Sequence, residues 1–325
     1  MSAQDPFSEN GLALLGGYPI KSQDLAACIV FVAAYALVIP LVLRRLVSKR
    51  TRSPLLIRPT IFVALRIATY IIRAIQATSS GSSIGLYIAD QVLLLSGFVL
   101  ICEPLLALLK YHIRRNYNPE VQLQPKRDSL SIAVKVADIA LLAALVLGAT
   151  TGSQFSNLFN SQGGINQGTV DAIRRMRDAN AALCIVATVG AIVIVVLASV
   201  RDHRLPRDAT LFISVTGGLL TIVSVYKLAF YAHTPRPSPI SRSMKAVFYV
   251  LGCLPELVAT ALFFVFDLER MFEIRQGRLN NKIEKLIGKS KPVPQHLLAE
   301  REAARRGRHE ESQHPEPSLV EMHKY

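Results

Sequence analysis

Residues 58–110 read RPTIFVALRIATYIIRAIQATSSGSSIGLYIADQVLLLSGFVLICEPLLALLK. Two apolar runs, Pro59–Ala77 and Ile84–Leu109, flank the uncharged turn Ser79–Ser83. Each run is long enough to cross a hydrocarbon core of about 30 Å. Both carry ionisable side chains within the span: Arg66 and Arg73 in the first, Asp90 and Glu103 in the second. A lone charge at that depth costs at least about 2.5 kcal/mol, so all four need partners. The stretch therefore reads as the interior of a helix bundle.

Working outward, five more apolar runs complete an all-α polytopic bundle. The seven spans are predicted at about 25–43, 59–77, 84–109, 130–149, 180–200, 209–231 and 244–266. A membrane domain at 25–267 thus follows a short N-terminal segment, 1–24. Leu268, Met271, Phe272, Leu279, Ile283, Leu286 and Ile287 recur at helical spacing, which predicts an amphipathic juxtamembrane helix over 268–291. The Pro-, Glu- and Arg-rich remainder, 292–325, predicts a disordered tail. The longest connection is expected at 150–179, opening with Gly, Ser, Asn and Gln and closing with the charged stretch Asp171–Asp178.

The chain has 325 residues, 51% of them hydrophobic, and a net charge of +14. Surplus positive charge raises nucleic acid as a partner, but here the Lys and Arg flank apolar runs, so an anionic membrane surface is the simpler attractor. Of 37 Lys and Arg, 26 fall in loops 1, 3 and 5 and the tail, against six in the N-terminus and loops 2, 4 and 6. The positive-inside rule then places the N-terminus outside and the tail in the cytosol. Arg44, Arg45, Arg114, Arg115, Arg201 and Arg204 become candidates for touching anionic lipid or a cytosolic partner. The N-terminus lacks the basic start of a secretory signal peptide, so the first span is expected to act as its own insertion signal.

Depth matching refines the interior. Arg73 lies four residues from the end of its span and Asp90 six from the start of the next, within about 3 Å in depth for antiparallel neighbours. Arg66 and Glu103 match in the same way at the other end. Asp90 and Glu103 are thirteen apart, so one helix face cannot hold both, and only one ion pair can be ideal. Lys135 and Asp138 can pair within the fourth span, at i and i+3. Lys227 and Lys245 lie near span ends, where they can snorkel. Glu256 follows Pro255 near mid-depth of the seventh span with no counter-charge on its own helix, and Arg66 or Lys227 could supply one. Arg66, Arg73, Asp90, Glu103, Glu256 and Lys227 form the candidate polar core or ligand path. Pairs that merely lock the bundle are the competing reading.

Catalytic patterns are absent: no Gly-rich phosphate loop, no H-E-x-x-H, no G-x-S-x-G. Cys28, Cys102, Cys184 and Cys253 each sit inside an apolar run, with no C-x-x-C spacing, and read as buried packing residues. His112, His203 and His233 divide between the two sides and do not suit a zinc site. No enzyme activity, metal or cofactor is expected.

Helix number and orientation match G-protein-coupled receptors, although the third span ends Leu108-Leu109-Lys110-Tyr111-His112-Ile113-Arg114-Arg115 and the seventh lacks Asn-Pro-x-x-Tyr. Asp5-Pro6-Phe7-Ser8-Glu9-Asn10-Gly11, Gly16-Gly17-Tyr18-Pro19 and Ile57-Arg58-Pro59 before Arg66 and Arg73 resemble fungal seven-helix proteins described as family-C-like receptors, without the large ectodomain of true family-C receptors. That resemblance implies a small or lipidic ligand and a cytosolic signalling partner. Ser224-Val225-Tyr226-Lys227 and Phe263-Phe264-Val265-Phe266-Asp267 are similar to late helices of the fungal lipid-translocating exporter family, which implies movement of a lipid or small molecule. Cys28 and Cys184, at similar positions in spans 1 and 5, also admit a 3+1+3 carrier. In either case the chain is expected in the plasma membrane or an endomembrane.

Overall fold

The computed structural model describes residues 14–48, 53–79, 84–113, 129–160, 167–202, 205–233, 242–275, 279, 282, 295–300, 302 and 303. Among them, seven helices are long and apolar enough to cross a membrane. They are α1 (Lys21–Val47), α2 (Ile57–Thr78), α3 (Ile84–Ile113), α4 (Ser129–Asn160), α5 (Gln167–Arg201), α6 (Arg207–His233) and α7 (Arg242–Val265). The chain is a multi-pass membrane protein.

Successive helices pack side by side, and α7 closes back onto α1. α3 also touches α5 and α6, so 67% of its span is buried against 28% of the α1 span. The bundle is apolar outward: Leu37, Ile139 and Leu211 are 77%, 66% and 64% exposed. Its interior holds Arg66, Arg73, Asp90 and Glu256 almost wholly buried. Apolar surface around a polar centre is what a hydrocarbon solvent selects. The four cysteines are free and buried, as packing residues should be.

Two expectations change. The 150–179 connection is largely helical, since α4 runs on to Asn160 and α5 begins at Gln167. The Thr150 and Thr151 hydroxyls bond back to the Val146 and Leu147 carbonyls of their own helix. Val170, Ile173 and Arg177 are buried at three- and four-residue spacing, which is helical periodicity inside a charged stretch. Gly152 is the tight point, because a Cβ there would stand 2.5 Å from Val92 Cγ2 on α3. Gly152→Ala is expected to cost about 1–3 kcal/mol by overpacking, read as a lower unfolding temperature that Val92→Ala restores.

In α7, the segment Phe248–Cys253 is π-helical, and the Leu254 amide donates to the Tyr249 carbonyl, five residues back. Pro255 explains it: its ring crowds the carbonyl four residues earlier and it has no N–H to offer. The wide turn brings Phe248, Tyr249, Gly252 and Cys253 into the interior.

After α7, Leu268–Phe272 forms a short helix with Leu268 and Phe272 buried; most of the predicted juxtamembrane helix beyond it lies outside the described residues. The described residues from Glu273 onward belong to a second unit, separate from the bundle. Within it, residues 295–300 are helical, where composition predicts disorder, and Arg275 pairs with Glu300 at 3.2 Å.

Candidate functional site

The intramembrane charges gather in two layers. The first lies at the mouth of the bundle, where α2 ends and α3 begins. Arg73 Nη1 donates to Asp90 Oδ2 at 2.9 Å, the pairing that depth matching predicts. Asp24 in the first turn of α1 is fully buried, within 3.9 Å of Arg73 and bonded to Lys245 and, at 2.8 Å, to the Tyr249 hydroxyl. Lys245 is 2% exposed, so it does not snorkel: a buried carboxylate across the helix interface holds it inside.

The same layer clasps the segment Leu14–Tyr18. Arg73 donates to the carbonyls of Leu15, Gly16 and Gly17 at 3.2, 3.0 and 3.2 Å. Gln91 Oε1 accepts the Leu15 amide at 3.0 Å, and Lys245 donates to the Tyr18 carbonyl at 2.7 Å. Arg177 of α5 reaches Gln91 Oε1 at 3.2 Å and stacks over the Tyr231 ring of α6.

The second layer lies deeper. Glu256 Oε2 is 2.7 Å from Arg66 Nη2, and Oε1 is 3.5 Å from Lys227 Nζ. One carboxylate of α7 thus joins α2 and α6. Arg66 also donates to the Leu93 carbonyl, Lys227 to the Leu94 carbonyl, both at 3.2 Å on α3. Their cations sit over the rings of Phe62 and Phe98, at 4.7 and 4.0 Å from the centroids. All three side chains are at most 5% exposed. Lys227, predicted to snorkel, is instead drawn inward by Glu256.

Glu103 is not in this core. It pairs with Arg58 at the rim of the bundle, the two side chains being 36% and 50% exposed. The thirteen-residue spacing from Asp90 turns Glu103 off the Arg66 face, and the start of α2 meets it instead. Glu103→Ala is expected to cost only about 0–1 kcal/mol in an unfolding titration, as a half-exposed pair should. Asp138 likewise pairs with Lys110 across the α3–α4 interface, not with Lys135 of its own helix.

At the opposite, basic end, Arg45 donates to the carbonyls of Phe264 and Val265 and lies 3.4 Å from Asp267. It satisfies the last carbonyls of α7, so its guanidinium ties α1 to α7. Arg44 and Arg201 are exposed; Arg114, Arg115 and Arg204 lie outside the described residues. Nearby, His112 Nε2 shares a 3.1 Å hydrogen bond with Thr210 Oγ1. Phe212 of α6 meets Phe263, Phe266 and Phe272 edge-on.

Comparison with family models, curated proteins and solved structures finds no match. The site must therefore be read from its own chemistry. It consists of closed interhelix pairs, with Glu256 shared between two cations. Among the described residues, no group of His, Cys, Asp and Glu is placed to hold a metal ion.

Asp24, Gln91, Arg177 and Lys245 are the members that sequence reasoning leaves out of the core. Asp24 had a readable signal: it falls four residues before Cys28 on what becomes the interior face of α1, one turn ahead of the apolar run. Leu14–Tyr18 enters the sequence reading only through Gly16-Gly17-Tyr18-Pro19, as part of a resemblance and not as a member of the polar core.

Proposed function

We propose that this chain is a receptor-like seven-helix protein that senses a small or lipidic ligand and signals to a cytosolic partner. In this reading its N-terminus faces outward, which the distribution of Lys and Arg supports. Support comes chiefly from the shared carboxylate of Glu256, which closes onto Arg66 and Lys227 instead of lining an open passage.

A carboxylate held by two cations lets one helix move without stranding the carboxylate itself. If α6 shifts, the longer Lys227 contact opens first, while Arg66 keeps Glu256 neutralised. Residues of α6 that move at this depth also move at the cytosolic end, where Phe212 and Thr210 link α6 to α7 and α3. Arg44 and Arg201 border that end and suit an acidic partner surface or anionic lipid. A conformational change of this kind needs a ligand that prefers one helix arrangement.

The test uses protein reconstituted in lipid discs with purified cytosolic G proteins and a panel of lipids and small molecules. Ligand-dependent nucleotide exchange that is altered by Lys227→Met is the expected result. No exchange with any G protein, under any ligand, overturns the reading.

A second reading is translocation of an anionic lipid or small molecule, favoured by the surplus of cations around Glu256. It predicts that labelled anionic lipid crosses liposomes containing the protein and that Lys227→Met slows it. Unchanged lipid movement removes that reading.

A further inference from the structure

Every carbonyl from Leu14 to Tyr18 accepts a hydrogen bond. Only that of Leu14 is served by the segment itself, through the Gly17 amide at 2.8 Å. The other four are served by side chains of α2 and α7, with Gln91 of α3 adding a second bond. Gln91 reads the Leu15 peptide from both sides, accepting its amide at 3.0 Å and donating to its carbonyl at 3.4 Å. Leu14 and Leu15 are 4% and 1% exposed, and Tyr18 stacks on Tyr87 of α3 with centroids 5.2 Å apart.

A connecting strand that merely leads into α1 needs none of this. The entry into that helix is fixed locally, by the Asp24 carboxylate accepting the Ile20 amide at 2.8 Å. Arg73 instead spends both of its terminal nitrogens on main-chain oxygens as well as on Asp90, and Lys245 divides its ammonium between Asp24 and Tyr18. The segment is a turn, closed by the Leu14–Gly17 bond. Side chains fanned around its consecutive main-chain acceptors, with apolar contacts at both ends, hold it as a bound peptide is held, main-chain hydrogen bonds giving affinity and side-chain contacts specificity.

We infer that the mouth of the bundle is a peptide-binding site and that Leu14–Tyr18 is its tethered ligand. The site takes an uncharged, Gly-containing peptide with a branched apolar residue first and an aromatic one last. The two glycines are part of the recognition. Gly16 and Gly17 have φ of +75° and +66°, which only glycine adopts freely. A Cβ on Gly16 would lie 2.7 Å from Phe248 Cε1 and 2.9 Å from Arg73 Nη2. No bulkier residue fits between the guanidinium and the ring. Tethering gives the segment an effective concentration of about millimolar, so a free peptide at micromolar levels is excluded while the segment is seated.

The experiment uses the full chain in lipid discs and a fluorescent peptide, acetyl-Leu-Leu-Gly-Gly-Tyr-Pro-amide, matching residues 14–19. Gly16→Val should unseat the tethered segment and raise affinity for the free peptide at least about tenfold over wild type. Adding Gln91→Leu should reverse that gain, since two bonds to the Leu15 peptide are lost. Equal binding to wild type and Gly16→Val, or no binding to a folded Gly16→Val protein, overturns the inference. Should Gly16→Val fail to fold, hydrogen exchange of wild type decides. Millimolar peptide that speeds exchange at the Leu15 amide supports a displaceable ligand, and unchanged exchange overturns it. Binding is read without a signalling step, so this result and the nucleotide-exchange result fail independently.

Discussion

Glu256→Leu is expected to destabilise the bundle by about 3–5 kcal/mol, the cost of breaking a buried pair and leaving its partner behind. Here two partners are left. Arg66 and Lys227 would face each other across the space of the lost carboxylate, each with one α3 carbonyl as its remaining polar acceptor. Hydrocarbon surrounds the bundle, so water cannot repair the loss cheaply. Lys227→Leu should cost clearly less, because Arg66 and Glu256 keep their 2.7 Å contact. Equilibrium unfolding in mixed micelles checks both the size and the order. A Lys227→Leu loss equal to that of Glu256→Leu would mean that the carboxylate is not shared.

Arg73→Leu is expected to have an effect of similar size, again about 3–5 kcal/mol. It strands Asp90 at 2% exposure, takes the donor from the Gly16 and Gly17 carbonyls, and leaves that of Leu15 with only the 3.4 Å bond from Gln91. Arg73→Lys should recover only the pairing with Asp90. An ammonium is a point charge on a flexible stem, and it cannot reproduce a planar fork aimed at Asp90 on one side and Leu15, Gly16 and Gly17 on the other. Unfolding titrations measure the stability. Hydrogen exchange at residues 14–18 separates the two effects: with Arg73→Lys the segment should exchange much faster than wild type although the bundle stays folded. Full rescue of both by Lys would show that only the charge matters.

The arrangement of helices is largely legible in the sequence because apolar runs of about 20 residues leave few alternatives in a bilayer. Arg73 with Asp90 is legible for a related reason: a short turn makes α2 and α3 antiparallel, and rise per residue then fixes depth. Depth alone fails for Arg66. At 3.6 residues per turn, Glu103 lies about 140° around α3 from Asp90, so equal depth does not bring it to the Arg66 face. Glu256, from a helix distant in the chain, takes that place, and its need for a counter-charge was the readable clue.

Lys227 and Lys245 illustrate the opposite case. A Lys near a span end ordinarily extends to the interface, yet each finds a buried carboxylate on another helix. No local pattern encodes a partner 29 or 221 residues away. The end of α4 and the start of α5 are hidden because those turns are polar, and polar residues beside an apolar run predict a loop. Leu14–Tyr18 was hidden more completely, since its recognition rests on main-chain atoms that every residue shares.

The most direct test of the account is a double-mutant cycle on Arg66→Met and Glu256→Leu, with stability read by unfolding in mixed micelles. Closed pairing predicts that the double variant is far less destabilised than the sum of the two singles, with a coupling energy of about 1 kcal/mol or more. Losses that add to within about 0.5 kcal/mol would contradict it, because residues that do not touch have no shared interaction to lose.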